Sequence, residues 1–167
     1  MSTNSRISIR ELGPEDMELL LEWRMEVLAT VFADVDGWDA AQLREENRRY
    51  YERALGTTHR AFIAALDGED VGCGAICLHD EMPSPDNVRG TCAYIMNVYT
   101  RARARSHGIA TAIMHRLIEE AQHAGAEKIY LEASSVAAPL YASLGFEPTE
   151  GMMRLAIHDE HGKGSSS

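Results

Sequence analysis

The hydrophobic residues of this chain change period several times, and each change marks an element. Residues 6–10, Arg6-Ile7-Ser8-Ile9-Arg10, alternate polar and apolar, the period of a half-buried strand. Gly13-Pro14-Glu15-Asp16 then opens a helix. Proline at its first position gives up an N–H that would be unpaired anyway, and carboxylates in its first turn suit the helix dipole. Helical spacing runs on to position 32 and puts Leu19, Leu20, Trp23, Val27 and Val31 near one face. A turn-rich break at 32–37 precedes a second helix over 38–55, strongly polar, with Leu43, Tyr50 and Tyr51 as its expected contacts.

Two apolar runs follow, at 61–66 and 71–79, joined through Asp67-Gly68, and they predict a hairpin with a slightly lengthened loop. Pro83, Pro85 and Gly90 make 80–90 a loop, after which 91–99 reads as a strand. Beyond a basic turn, Ile113, Met114, Leu117, Ile118 and Ala121 form the buried face of a helix that Gly125 stops. A short strand at 129–133, a short helix ending at Gly145 and a last strand complete the order β-α-α-β-β-β-α-β-α-β. This is an α+β domain on a mixed sheet. Residues 1–157 are expected to form it alone, with 158–167 a polar, Gly/Ser-rich, disordered tail.

Composition narrows the classes without choosing one. The chain has 167 residues, 45% hydrophobic and 25% charged, enough to bury a core in a single globular domain. No stretch of about 18 apolar residues predicts a membrane span, and the N-terminus does not lead into an apolar signal core. A cytoplasmic protein is the expectation. Cys73, Cys77 and Cys92 show no metal-ligand spacing, and Cys73 and Cys77 fall on one face of a strand as small buried hydrophobes. Seven histidines are scattered, so no metal is expected. A net charge of −10 argues against a nucleic-acid partner. The oligomeric state stays open, a homodimer included.

Against that acidic background the turn after the 91–99 strand stands out. Arg101, Arg103 and Arg105 gather three cations where a glycine, Gly108, opens a helix. The first N–H groups of a helix lack intrahelical partners, and the dipole adds partial positive charge, so such an end binds phosphate. Gly108 has no Cβ to keep a ligand away.

Arg105-Ser106-His107-Gly108-Ile109-Ala110 reads Arg-x-x-Gly-x-Ala and resembles the Gln/Arg-x-x-Gly-x-Gly/Ala signature of the GNAT superfamily of N-acetyltransferases. Ala137-Ala138-Pro139-Leu140-Tyr141-Ala142-Ser143-Leu144-Gly145-Phe146 is similar to that family's A-x-x-L-Y-x-x-L-G-F element. The resemblance implies a mixed, mostly antiparallel GNAT-like sheet with acetyl-coenzyme A (acetyl-CoA) as co-substrate. It places the pyrophosphate at Arg105, Ser106, His107, Gly108, Ile109, Ala110 and Thr111. The pantetheine would lie along the exposed backbone of Val98, Tyr99 and Thr100. Tyr141 would be the acid facing the CoA sulfur. The family commonly carries asparagine seven residues before that tyrosine, and this chain has Ser134 there, whose hydroxyl is expected to take over part of the contact with the pantetheine.

Acetyl transfer to an amine needs the amine deprotonated, the thiolate released and the two substrates held together. Asp80 and Glu81 are candidate bases at the end of the third strand, and Glu81 joins Tyr141 and Asn97 as the expected catalytic set. Asn97 would orient a water or the acceptor, and His107 suits anion binding better than proton abstraction. The expected activity is transfer to a primary amine of a small cationic metabolite or antibiotic-like compound, by direct attack in a ternary complex. Glu45, Glu46, Asp80 and Glu81 would attract that cation. Two alternatives stand beside it: a protein lysine or N-terminal acetyltransferase, and a non-catalytic acyl-CoA-binding module.

Overall fold

A computed structural model describes residues 6–157, so the tail expected at 158–167 lies outside the described residues. Strand β1 spans Ile7–Leu12, helix α1 Met17–Val31, α2 Ala40–Ala54, β2 His59–Leu66, β3 Glu69–Asp80 and β4 Thr91–Thr100. Helix α3 spans Ile109–His123, β5 Lys128–Leu131 and α4 Ala138–Ser143. The chain divides into two compact units, the first ending at Ala133 and the second beginning at Ser134.

The ends of the elements follow local chemistry. Pro14–Asp16 forms a single 3-10 turn, closed by the Gly13 N–H donating to Asp16 Oδ2 at 3.0 Å, so α1 starts at Met17. The buried face of α1 is Leu20, Leu21, Trp23, Val27 and Leu28, rotated from the expected one, and Val31 is exposed. Asp39 caps α2 by accepting the Gln42 N–H at 2.9 Å. Strand β2 begins two residues before its apolar run, because His59 and Arg60 pair with Cys77 and Ile76.

The sheet has the order β1-β2-β3-β4-β5, with β4 and β5 parallel and the other neighbours antiparallel. This is the mixed, mostly antiparallel α+β architecture that the motifs implied. The expected last strand does not form among the described residues. No strand follows α4, and Met152, Met153 and Leu155 in that stretch are exposed. A strand exists only against a partner that takes up its backbone hydrogen bonds, and none pairs with this segment.

The two faces of the sheet are covered differently. Ile63, Cys73, Ala75 and Met96 pack with Leu20, Leu21, Trp23 and Val27 of α1 and Tyr51 of α2. Cys73 and Cys77 do share this face, opposite Ile63 and His59. Burial pushes the Cys73 thiol up to about 12, so it stays protonated and behaves as a small hydrophobe.

The other face carries α3, laid closely over two glycines of β3. A Cβ built at Gly72 would lie 2.8 Å from Ile109 Cγ2, and one at Gly74 would lie 2.5 Å from Ile113 Cγ2. Glu120 of α3 is buried between Arg116 and Arg60, and both guanidinium groups sit over the Phe62 ring. No helix of the described residues is long and apolar enough to cross a membrane.

Candidate active site

The break in β4 builds the site. Cys73 pairs with Tyr99 and Ala75 with Met96, so Asn97 and Val98 together face the single residue Gly74. This β-bulge holds Asn97 at φ 58, in the left-handed region that asparagine tolerates better than most residues. The extra residue also breaks the alternation of side chains. Met96 packs with α1, Asn97 bonds to Arg24 of the same helix, and Val98 turns to the opposite face beside Gly74. Two consecutive side chains therefore reach one face, which a regular strand forbids.

Pairing with β5 stops just before the bulge. Its register ends at Ile95 opposite Leu131, so from Met96 onward β4 has no strand on that side among the described residues. The backbone of Asn97, Val98, Tyr99 and Thr100 is left with an unpaired edge there, and such an edge accepts an amide-bearing ligand as an added strand.

Beside the bulge lies a cavity of about 240 Å³. Its walls come from Arg24 of α1, Asn47, Tyr50 and Tyr51 of α2, His59 of β2, and Met96 and Asn97 of β4. Arg24 donates from Nε to Asn47 Oδ1 at 3.2 Å and from Nη1 to Asn97 Oδ1 at 2.9 Å. The Asn47 amide is fixed in turn by donating to the Leu43 carbonyl at 2.8 Å. The Tyr50 hydroxyl lies 3.0 Å from His59 Nδ1 and 2.9 Å from Cys77 Sγ. Burial, with the Arg24 charge adding to it, holds the His59 imidazole down at about 4, so the ring is neutral near pH 7. Burial pushes the Tyr51 phenol up to about 12 and raises that of Tyr50 as well.

The phosphate turn follows at the far end of β4. After one 3-10 turn at Ala102–Ala104, Ser106 adopts φ 65 and Gly108 φ 78, and α3 begins. The first bond closing that helix runs from the Ala112 N–H to the Gly108 carbonyl at 3.0 Å, which leaves the N–H groups of Ile109, Ala110 and Thr111 ahead of it. The Thr100 hydroxyl, at the entry to the turn, is buried without a hydrogen-bond partner. Free helix donors, a left-handed glycine and an orphaned hydroxyl together fit a phosphate-bearing ligand.

The arginine cluster is smaller than expected. Arg101 forks onto Glu26 at 2.9 and 2.8 Å, donates to the Asp70 carbonyl and stacks on Trp23 with its guanidinium carbon 4.2 Å from the ring centroid. It holds the Glu26 carboxyl below its usual range and ties α1 to β4. Arg103 pairs with Glu69 at 2.6 Å. Arg105 remains exposed, bonded only weakly from Nε to the Thr100 carbonyl at 3.4 Å. His107 donates from Nδ1 to the Arg105 carbonyl at 2.8 Å and stiffens the turn.

Glu81 is not brought to this site. It follows Asp80, whose partner is Thr91 at the start of β4, and the six residues from Thr91 to Asn97 span about 20 Å of extended strand. Its carboxylate is held by Lys128 Nζ at 3.1 Å, which lowers its pKa. The other carboxylates expected to face a cationic acceptor are placed elsewhere too. Glu45 bridges Arg48 and Arg49, Glu46 pairs with Arg49, and neither they nor Asp80 lines the cavity. In the second unit, Ser134 Oγ accepts the Ala137 N–H at 3.2 Å, and Tyr141 packs edge-on against Phe146 with centroids 6.1 Å apart. Burial raises the Tyr141 phenol.

Residues 18–146 match the Acetyltransferase (GNAT) family. The chain belongs to this family. GNAT proteins are acetyltransferases with acetyl-CoA as co-substrate, and the matched span runs through the bulge, the phosphate turn and the Leu140-Tyr141 element. Among solved structures, a protein described as a predicted acetyltransferase with acetyl-CoA, from Clostridium acetobutylicum, is 28% identical. The likeness covers 90% of this chain and 96% of that one, with a TM-score of 0.80. A GCN5-related N-acetyltransferase from Ralstonia eutropha JMP134 is 24% identical over 90% of this chain and 99% of that one, TM-score 0.75. The glucosamine-6-phosphate N-acetyltransferase of Arabidopsis thaliana is 18% identical over 92% and 99%, TM-score 0.67. These last two carry the GNAT fold alone. No curated protein sequence matches this GNAT chain.

The sequence pointed to Asn97 and to the turn, but not to Arg24, Asn47 or His59. Arg24 stands beside Trp23 in an amphipathic helix and looks like any solvated arginine, and His59 falls in a short polar stretch before the apolar run of β2. Nothing in a one-dimensional pattern pairs positions 24, 47, 59 and 97; the bulge does.

Proposed function

We propose that the protein transfers an acetyl group from acetyl-CoA to the primary amine of a small molecule that occupies the cavity at the bulge. The observation that carries this reading is the bulge itself. It ends the β4–β5 pairing, exposes backbone for the pantetheine and delivers Met96 and Asn97 to the cavity wall. The N–H groups of Ile109, Ala110 and Thr111, with Arg105, would hold the pyrophosphate, and Thr100 supplies a further hydroxyl.

The chemistry is one displacement. The amine lone pair attacks the thioester carbonyl carbon and the C–S bond breaks. The sulfur leaves with the bonding pair and is protonated, while the nitrogen gives up its proton. An alkyl amine has a pKa of about 10.4, so at pH 7 only about one molecule in 2,500 is neutral, a deficit of about 4.6 kcal/mol. Among the described residues no carboxylate lines the cavity to hold the ammonium form, and the Arg24 charge disfavours it. The acceptor therefore enters as the free amine, and positioning supplies much of the acceleration.

Two outcomes follow. For an alkyl amine, kcat/KM should rise about tenfold per pH unit from pH 7 to 9, since the neutral fraction does so. The His59 imidazole, held down at about 4, stays neutral throughout and adds no inflection. A flat profile from initial-rate assays would show that the ammonium is captured and deprotonated inside. Tyr141→Phe should keep acetyl-CoA affinity and lower turnover by up to about 10², the modest end of general-acid assistance, because thiolate leaves readily. Its raised phenol carries a proton at every working pH, as an acid requires. Unchanged turnover at all pH values assigns Tyr141 to packing.

The whole reading is tested by following CoA release with a thiol reagent against a panel of small amines and N-terminal or lysine peptides. Turnover confined to peptides, or acetyl-CoA binding without transfer to any amine, would overturn it.

A further inference from the structure

The cavity carries a cation where a site for ammonium substrates would carry an anion. Arg24 is only partly exposed, and its sole hydrogen-bond partners among the described residues are the amide oxygens of Asn47 and Asn97. Each is a neutral dipole, and no carboxylate of the described residues pairs with this guanidinium. The other arginines fixed nearby behave differently: Arg44 and Arg48 meet Glu18 at 2.8 and 2.6 Å, and Arg101 meets Glu26. In a chain of net charge −10, a guanidinium held by two amides and left without a counter-ion is unusual.

A second polar group on the same wall also lacks a partner. His59 is only 3% exposed, its Nδ1 is engaged by Tyr50, and its Nε2 is buried with no hydrogen bond. Buried polar atoms are nearly always satisfied, and leaving one unmet costs about 1–3 kcal/mol. The Nε2 atom exposes no surface to the cavity, so the unpaired cation at Arg24 is what points to a ligand there.

We propose that the acceptor is a small amine that also bears an anionic oxygen group, a carboxylate or a phosphate, held by Arg24. This rests on the reading of the cavity as the acceptor site. The planar guanidinium fork suits carboxylate and phosphate equally. Asn47 and Asn97 aim it, and Asn97 stands at the bulge. The acceptor's charge is thus read at the point where β4 opens.

Matched pairs separate the charge from the amine: L-leucine against L-leucinamide, β-alanine against β-alaninamide, and O-phosphoethanolamine against ethanolamine. Isothermal titration into the CoA-bound protein should show the anion-bearing member of at least one pair binding tenfold or more tightly than the partner that lacks the anionic group. Which pair responds distinguishes carboxylate from phosphate. Arg24→Gln should bring that ratio close to one, and Arg24→Lys should restore part of it, because the charge returns without the fork. Acetyl-CoA titration of each variant reports that the fold survives. Equal binding within every pair, binding of neither member of any pair, or a preference that persists in Arg24→Gln overturns the proposal. Turnover only of the amines that lack the anionic group would do so while leaving the acetyltransferase reading intact. Anionic amines that bind through Arg24 but are never acetylated would instead count against the transfer reading.

Discussion

Gly108→Val should give a folded protein that no longer binds acetyl-CoA. Gly108 sits at φ 78, ψ 12, immediately before the first residue of α3. Valine is a true outlier there, and holding a side-chain-bearing residue in the left-handed region costs about 1–3 kcal/mol. The fold has room for the side chain, since a Cβ would meet nothing nearer than Ile7 Cδ1 at 4.0 Å. The damage therefore falls on the turn. Either the backbone keeps its shape and the isopropyl group covers the donors of Ile109, Ala110 and Thr111, or φ turns negative and those donors aim elsewhere. Both outcomes remove the phosphate contacts, and affinity by calorimetry should fall by at least about 10², equivalent to 2.7 kcal/mol or more. The melting temperature should drop only by roughly 2–12 °C, following the strain alone. Unchanged affinity in Gly108→Val would remove the turn from the site.

The turn and most of the architecture were legible in one dimension for a physical reason. Strand and helix periods are local properties, and so is a glycine that opens a helix. The misses are of another kind. Arg101 and Arg103 read as phosphate ligands until their partners are known, and Glu26 lies 75 residues from Arg101. Glu81 looked close to the acceptor because the third strand ends there, but an antiparallel neighbour returns its own start to that end and takes the bulge the length of a strand away. The expected last strand is absent among the described residues, where the segment after α4 pairs with no strand. Most consequential, Asn97 was expected to orient something, yet only the two-against-one register at Gly74 shows why its side chain joins Met96 on the cavity side. A bulge is a property of two strands, so neither strand's sequence displays it alone.

Gly74 is the single residue that faces that bulge, and Gly74→Val should disrupt the fold strongly. Gly74 has an ordinary backbone conformation, so the objection to a side chain is space and not φ. A Cβ there would lie 2.5 Å from Ile113 Cγ2, 3.0 Å from Leu117 Cδ1 and 3.6 Å from Val98 Cγ2. Ile113 and Leu117 are fully buried on α3 and have no empty space to turn into. Strand and helix must separate. Overpacking a core costs typically about 1–3 kcal/mol, and a β-branched side chain against two immovable neighbours belongs at or above the upper end. About 3 kcal/mol in a chain of this length lowers the melting temperature by roughly 6–12 °C. The separation also lifts the N-terminus of α3, so acetyl-CoA affinity should fall in whatever fraction remains folded. Trimming the opposing side chain tests the cause: with Ile113→Ala present, Gly74→Val should cost markedly less than it does alone, a coupling of about 0.5–3 kcal/mol in a double-mutant cycle. A melting temperature within 2 °C of the parent, or strictly additive effects in the cycle, would show that α3 does not rest on this glycine.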